Sequence, residues 1–319
     1  MVNLNLLLGL GLVAAAVGLA SLDAAEPRLT FDRQAERVTI TVAGEPFAKY
    51  VFSDKEVARP YFCDVHAAGG IPVTRRHPPV EGTDQTDHAM MHPGLWLAFG
   101  DLGGADFWRN KGRVEHVEFV EAPRVEQDRG RFVVKNRYVS DTRTLCSEVC
   151  WYTVAVRPAG ILLLCESTFT AQVPFAFGDQ EEMGFGVRLA SPLRVRGGNG
   201  RILSSEGHTN EKGVWGRTAA WCDYSGTIDG KQVGLTLIPH PENFRPSWFH
   251  VRDYGLMVAN PFGQNAFTRE AKSRIEITPE KPFSLGFAVL IHASPADKPL
   301  NLEAATKDAL SQFEKQMAR

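Results

Sequence analysis

The chain has 319 residues, 44% of them apolar, and a formal net charge of −2, with a pI of about 6.5. That is enough apolar material for one large all-β domain or two smaller ones. No basic stripe is visible, which argues against nucleic acid as a partner and for a neutral or mildly polar ligand.

The run from Leu4 to Leu22 is almost wholly apolar and is followed by Asp23, Ala24, Ala25, Glu26 and Pro27. Gly18, Ala20, Ala24 and Ala25 supply small residues for cleavage, so residues 1–25 read as a signal peptide. No Lys or Arg precedes the run, and its length is near that of a spanning helix, so an uncleaved anchor is the alternative. Either way the folded part is expected outside the cytoplasm, periplasmic or secreted. No membrane contact is expected beyond this segment.

After Pro27 come short β-type runs separated by turn signals. They include Arg37–Ala43, Phe47–Phe52, Gly94–Gly100, Arg131–Val139, Trp151–Val156, Ile161–Phe169, Gly184–Leu189, Val233–Ile238, Arg274–Ile277 and Phe283–Ile291. Asp229-Gly230 lies between two such runs and is a type I′ hairpin signal. Hairpins at this spacing predict antiparallel sheets packed as a β-sandwich. One helical pattern stands at the end, with Leu302, Thr306, Ala309, Leu310, Phe313 and Met317 at helical spacing and Asn301 as N-cap. The simplest division is one β-sandwich domain over residues 26–319 with a C-terminal helix.

The cysteines, Cys63, Cys146, Cys150, Cys165 and Cys222, are no disulfide scaffold. Cys146 and Cys150 lie about 13 Å apart along a strand and could not bridge each other. A pair formed by Cys150 and Cys165 across a hairpin is compatible with an oxidising compartment.

Three blocks could carry chemistry. Arg59–Glu118 holds five of the nine histidines (His66, His77, His88, His92, His116), with Asp84, Asp87, Asp101, Arg59, Arg75, Trp96 and Trp108 interleaved. Such groups are costly to bury and of little use to a plain core, so the stretch resembles the wall of a polar pocket. On a helical turn His88 and His92 would share a face, a metal-compatible spacing. The zinc-protease HExxH is excluded by Ala89. A divalent metal is therefore a candidate cofactor, with His88, His92, His116, Asp84 and Asp87 as candidate ligands. The alternative is a loop whose histidines bond the backbone.

The second block is Gly178–Arg188, where Glu181 and Glu182 precede a strand. Extended neighbours point to opposite faces, so at most one of them faces a given pocket, and a solvated loop is the plain reading for either one alone. The third runs from Trp221, Asp223 and Tyr224 to Trp248–Asn260. Trp248, His250, Arg252 and Tyr254 alternate and share a face, while Asp253 takes the other. Rings stack on the C–H faces of sugars and Arg, His and Asp bind hydroxyls, so this face suits a sugar; a partly exposed sheet face with cross-strand pairs is the plain reading.

The blocks TDHAMMHPGLWLAFGDLGGADFWRNK, WCDYSGTIDGKQVG and WFHVRDYGLMVANPFG resemble a bacterial family labelled "methane oxygenase PmoA", abundant in planctomycetes, over nearly the whole mature chain. Many of its members carry a DHPHHRGLWF-like block. Here one of the adjacent histidines is absent and Pro93 stands where many have arginine. The resemblance carries over His92, and His88 within one position. Methane needs a dry apolar site, whereas these blocks are rich in sugar-binding residue types. The strand pattern with polar histidines looks like a galactose-mutarotase-like supersandwich, an analogy at the level of fold.

The expectation is a carbohydrate-active protein: a hydrolase, lyase or epimerase acting on a glycan or modified sugar. His92, Glu181, Glu182 and His250 are the candidate acid/base groups. Arg59, Trp96, Trp108, Trp221, Asp223, Tyr224, Trp248, Arg252, Asp253, Tyr254 and Asn260 are the candidate substrate contacts. A non-catalytic glycan-binding protein is the alternative. Neither the sugar nor the oligomeric state is legible.

Overall fold

Strict alternation along Arg37–Val42 sends Val38 and Ile40 inward with none of their surface exposed and turns Arg37 to solvent. Strands patterned this way assemble two large antiparallel sheets in the computed structural model, which describes residues 29–317. The signal segment expected over residues 1–25 lies outside the described residues. No helix among the described residues is long and apolar enough to cross a membrane.

Sheet 1 has nine strands, in the order Leu29–Arg33, Arg37–Val42, Glu45–Val51, Tyr61–Cys63, Leu95–Phe99, Met183–Arg188, Leu256–Asn260, Trp248–Arg252 and Arg217–Thr218. Sheet 2 has eight, in the order Arg201–Ser204, Cys222–Ile228, Lys231–Pro239, Phe283–Pro295, Gly160–Ala171, Arg143–Arg157, Arg129–Ser140 and Arg113–Glu126. Their inner faces meet in an aromatic core. Tyr50 of sheet 1 lies 5.0 Å from both Phe132 and Tyr152 of sheet 2, and Phe185 lies 5.4 Å from Phe287. The expected all-β class, with a large antiparallel sandwich and a C-terminal helix, is the architecture the chain adopts.

Local signals act as anticipated at several points. Asp229 and Gly230 take φ of +50° and +73° and join Cys222–Ile228 to Lys231–Pro239, as a type I′ turn requires. The helix Leu302–Met317 starts at Asn301, whose Oδ1 accepts the Ala304 N–H at 3.1 Å. Its Ala305, Ala309 and Phe313 cover Ala155, Leu162, Leu164, Ala288 and Leu290 on the outer face of sheet 2. Cys150 and Cys165 do sit on adjacent strands, as free buried thiols with sulfurs 3.6 Å apart.

Two elements differ from expectation. Arg113–Glu126 is a 14-residue strand that the sequence hides. It is an edge strand with three register shifts and charged residues on both faces, so no clean alternation marks it. The strand expected over Trp248–Tyr254 ends at Arg252, because Gly255 at φ +101° turns the chain back into Leu256–Asn260.

Candidate functional site

The middle of sheet 1 divides its residues cleanly. Leu95, Leu97 and Phe99 enter the main core, while Trp96 and Ala98 join a separate cluster on the outer face with Trp108, Leu256 and Val258. Register places Trp96, Gly186, Val258 and His250 in one row across four strands. Gly186 is required there, since a Cβ would lie 2.5 Å from the Trp96 indole that leans over it.

The segment 76–93 folds back over this row, held by arginine. Arg75 is 2% exposed and donates to the carbonyls of Gln85 (2.7 Å), Asp87 (2.8 Å) and His92 (3.1 Å). Arg59 is likewise buried and donates to the Phe107, Trp108 and Met91 carbonyls and to Asn110 Oδ1. It fixes the loops from beneath rather than facing a ligand. Above them His92 stacks on Trp96, 5.0 Å between centroids at 12°, with Trp108 edge-on at 5.8 Å. The His88 ring is 5.1 Å away, and the His92 N–H donates to the His88 carbonyl, so the four-residue spacing does act as a helical turn. Nδ1 of His92 and the indole N–H groups of Trp96 and Trp108 are buried without hydrogen-bond partners among the described residues. Burial, then Arg188, His88, Arg59 and Arg75, hold His92 well below the usual imidazole pKa, so it is neutral. Asp87 accepts from Arg188 at 2.8 Å and contacts His88 Nδ1 at 3.0 Å. Burial raises the Asp87 pKa, but His88 and the guanidinium groups of Arg188 and Arg75 outweigh it, and the net shift is downward.

The second half of the site lies around Glu181. Its Oε2 is 3.3 Å from Arg252 Nη2 and 3.4 Å from His250 Nδ1. That last contact is no ion pair. Trp215 Nε1–H donates to His250 Nδ1 at 3.3 Å, which leaves the ring proton on Nε2. Burial and then Arg252 pull the His250 pKa down to about 3. Asn260 is fully buried; its Nδ2 donates to the carbonyls of Gln180 (2.7 Å) and Glu181 (3.0 Å), and its Oδ1 accepts from Phe262 and Gly263. Asn260 therefore positions the Glu181 loop. Tyr254, in the turn after Trp248–Arg252, takes the Arg188 guanidinium over its ring at 4.6 Å. This ring joins the two halves.

Glu181 and Glu182 lie in a bend before Met183–Arg188 and part ways there: Glu182 pairs with Arg109. Trp248 stays on the outer face near Phe267 and Arg245. Several expected residues do not come to the site. Trp221 lies beneath the C-terminal helix with Ile238 and Ala305. Asp223 is buried on sheet 2, accepting from Thr236 (2.8 Å) and Ser225 (2.6 Å) and meeting His292 Nε2 (2.8 Å). The carboxylate stands between serine and histidine, so the serine has no imidazole to activate it. Tyr224 is in the core, its hydroxyl tied to Val195, Arg252 and Asp253 backbone. Asp253 accepts the Glu211 N–H and is spent on that turn. The His116 ring lies tilted against Phe52 at 4.6 Å, beside a different cleft. Asp84 binds Arg76 and Ser191. Of the candidate metal ligands, Asp84 and His116 thus lie apart from His88, His92 and Asp87, and no group of three or more His, Cys, Asp and Glu that could hold a metal ion is found among the described residues.

Sequence reasoning underrated Arg188 and missed Trp215 and Glu211, the second partner of Arg252 at 3.2 Å. One signal was readable: in Met183–Arg188, Gly184, Gly186 and Arg188 share a face, which means something large leans over two bare positions. Chemically, the site offers neutral imidazoles, an N–H donor at His250 Nε2, carboxylates at Glu181 and Asp87, and unpartnered indole N–H groups beside aromatic rings.

A family model described as "Family of unknown function (DUF6807)" matches residues 37–306. The chain belongs to that family. No curated protein matches it. Among solved structures it is similar to a galactose mutarotase-like protein from Clostridium acetobutylicum, with 10% identity over 84% of this chain and 98% of that one and a TM-score of 0.41. A galactose mutarotase-like protein from Lactobacillus casei ATCC 334 is similar at 10% identity, over 83% of this chain and 100% of that one, with a TM-score of 0.34. A protein described as a kojibiose phosphorylase from the human microbiome is similar at 7% identity and a TM-score of 0.38; 92% of this chain matches 37% of its length.

Proposed function

We propose that this member of the DUF6807 family is an exported carbohydrate-active enzyme whose site is the outer face of sheet 1. The reading rests on one observation above the rest: the Glu181 carboxylate stands 3.4 Å from a buried imidazole whose tautomer Trp215 fixes. His250 then presents Nε2–H as a donor to a substrate oxygen, and Glu181 is the base that takes a proton from carbon or hydroxyl. Arg252 orients the carboxylate. Neutral His92, stacked on Trp96, is the second acceptor. Trp248 and Tyr254 offer ring faces to the sugar.

Proton abstraction, as in an epimerase or lyase, fits this set better than hydrolysis. A hydrolase needs a protonated acid at the leaving oxygen, and both imidazoles here are held neutral. Export is supported by the apolar run Leu4–Leu22. Non-catalytic glycan binding is the second reading, favoured by the engagement of Glu181 with Arg252, which a binder could keep permanently.

Proton NMR of plant, algal and bacterial oligosaccharides, oxidised sugars included, mixed with the wild type and with Glu181→Gln, tests both. New anomeric or olefinic signals that vanish in the variant are expected. Line broadening of one sugar without product would establish the binder. A silent panel would remove the carbohydrate assignment.

A further inference from the structure

The outer face of sheet 2 changes character along its own strands. Under the C-terminal helix, Gly160–Ala171 presents Leu162 and Leu164, and Phe283–Pro295 presents Ala288 and Leu290. One repeat further along the same faces the residues become Glu166 and Thr168 on the first strand and Gly286 and Ser284 on the second. Thr168 and Ser284 hydroxyls lie 3.0 Å apart there. The polar half is a groove of about 580 Å³, within the range of small-molecule sites.

Its walls are built rather than loose. On one side Trp151, directly across from Glu166 in register, keeps 36% of its surface exposed. Arg131 lies 5.2 Å over that ring and is itself fixed by Glu121 at 2.7 Å. On the other side the turn after Lys231–Pro239 is clamped to the sheet: Asn243 Nδ2 donates to the Gly286 carbonyl at 2.9 Å, and Gly286 N–H donates to Asn243 Oδ1 at 2.8 Å. Gly286 admits this turn, since a Cβ would lie 2.8 Å from His240. Glu166 is half-buried on the floor of the groove, with Arg129 as its charged neighbour. Burial pushes its carboxyl up to about 7, with Arg129 pulling the other way. The lining carries Glu121, Glu126, Glu166 and Glu242 against Arg124, Arg129 and Arg131, so it holds no strong charge of either sign.

A rigid exposed indole, a half-buried carboxylate and a mixed-charge polar lining are the groups that recognise an uncharged polyol with apolar C–H faces. We propose that this groove is a second carbohydrate site, separate from the face of sheet 1, that binds a neutral oligosaccharide with one ring stacked on Trp151 and a hydroxyl donated to Glu166. The proposal does not depend on the chemistry assigned to Glu181.

The test is calorimetry and saturation-transfer NMR with cellohexaose, xylohexaose, mannohexaose and maltohexaose, and with a galacturonate hexamer as the anionic comparison. The wild type is expected to bind at least one neutral hexamer, and Trp151→Ala to weaken it about tenfold or more. Ser284→Trp, which fills the groove from an exposed position, should abolish binding, and Glu181→Gln should leave it unchanged. Affinity should rise with pH from 6 to 8 in the wild type, as the carboxylate ionises, and be flat in Glu166→Gln. No binding of any neutral hexamer overturns the proposal. So does binding that survives both groove variants, binding lost in Glu181→Gln, or binding of the anionic hexamer alone.

Discussion

The two outer faces of the sandwich meet the cost of polar groups in opposite ways. On sheet 1 the chain folds segment 76–93 over the strands and buries Arg59, Arg75 and Arg188 beneath it, each below 4% exposed. The hydrogen bonds of Arg59 and Arg75 go mostly to backbone carbonyls, so these two cations set loop shape, while Arg188 pairs with Asp87 at 2.8 Å. On sheet 2 the loop held to the strands is the turn after Lys231–Pro239, clamped by the Asn243 amide rather than by an arginine. A helix seals the apolar half, and the residue types turn polar where the helix no longer covers them. A face built on buried cations can hold reactive groups in fixed protonation states. A face left open can offer only rings and hydrogen-bonding groups. The first arrangement suits chemistry and the second suits grip.

The comparison breaks first if sheet 1 is not where chemistry happens. Glu181→Gln, and His92→Ala separately, should lower turnover on an identified sugar by about 10²–10⁴. Either variant retaining wild-type turnover would take that residue out of the mechanism. The helix seal comes next. Phe313 is 1% exposed and packs edge-on to His240 at 4.4 Å. Phe313→Ala should cost about 3 kcal/mol in urea unfolding. A loss under about 1 kcal/mol would mean the helix lies on the sheet without sealing it. Arg75→Met strands three carbonyls and should cost about 2 kcal/mol. It should also lower turnover, because the His92 carbonyl is one of the three. Stability lost with turnover intact would make Arg75 a staple with no bearing on His92.

The same contrast explains what the sequence displayed. Sheet 2's interior and its helix obey local rules: the hairpin at Asp229-Gly230 and the apolar stripe through Ala309 and Phe313 are both written in adjacent residues. The four-residue spacing of His88 and His92 was legible for the same reason. The rest of the site depends on distant partners. Arg188 meets Asp87 across 101 positions, and Glu181 meets Arg252 across 71. Trp221, Asp223 and Tyr224 misled because a dense polar-aromatic block looks alike whether it faces a ligand or a core. What sent Asp223 inward is His292, 69 positions away. No local pattern carries that pairing.

The smallest effect sharpens the claim that sheet 1 fixes protonation states. His250 has a folded pKa of about 3, against an ordinary value near 6.5. Between those values the unfolded chain binds a proton that the folded chain refuses. The stability this group supplies is complete above pH 6.5 and is lost as pH falls, by up to about 1.4 kcal/mol per pH unit. His92 is shifted in the same direction. Glu148 and Glu166 act in the opposite sense, since burial raises both carboxyls and their contribution fades as pH rises. The wild-type slope is therefore a sum of opposing groups, and only a difference isolates one of them. His250→Gln removes one imidazole and leaves the carboxylates in place. Urea unfolding at pH 6.0 and 5.0 should show the variant losing about 1 kcal/mol less than the wild type over that interval. Equal losses in the two proteins would mean that His250 accepts its proton in the folded state. The donor role assigned to Nε2–H would then give way to an imidazolium paired with Glu181.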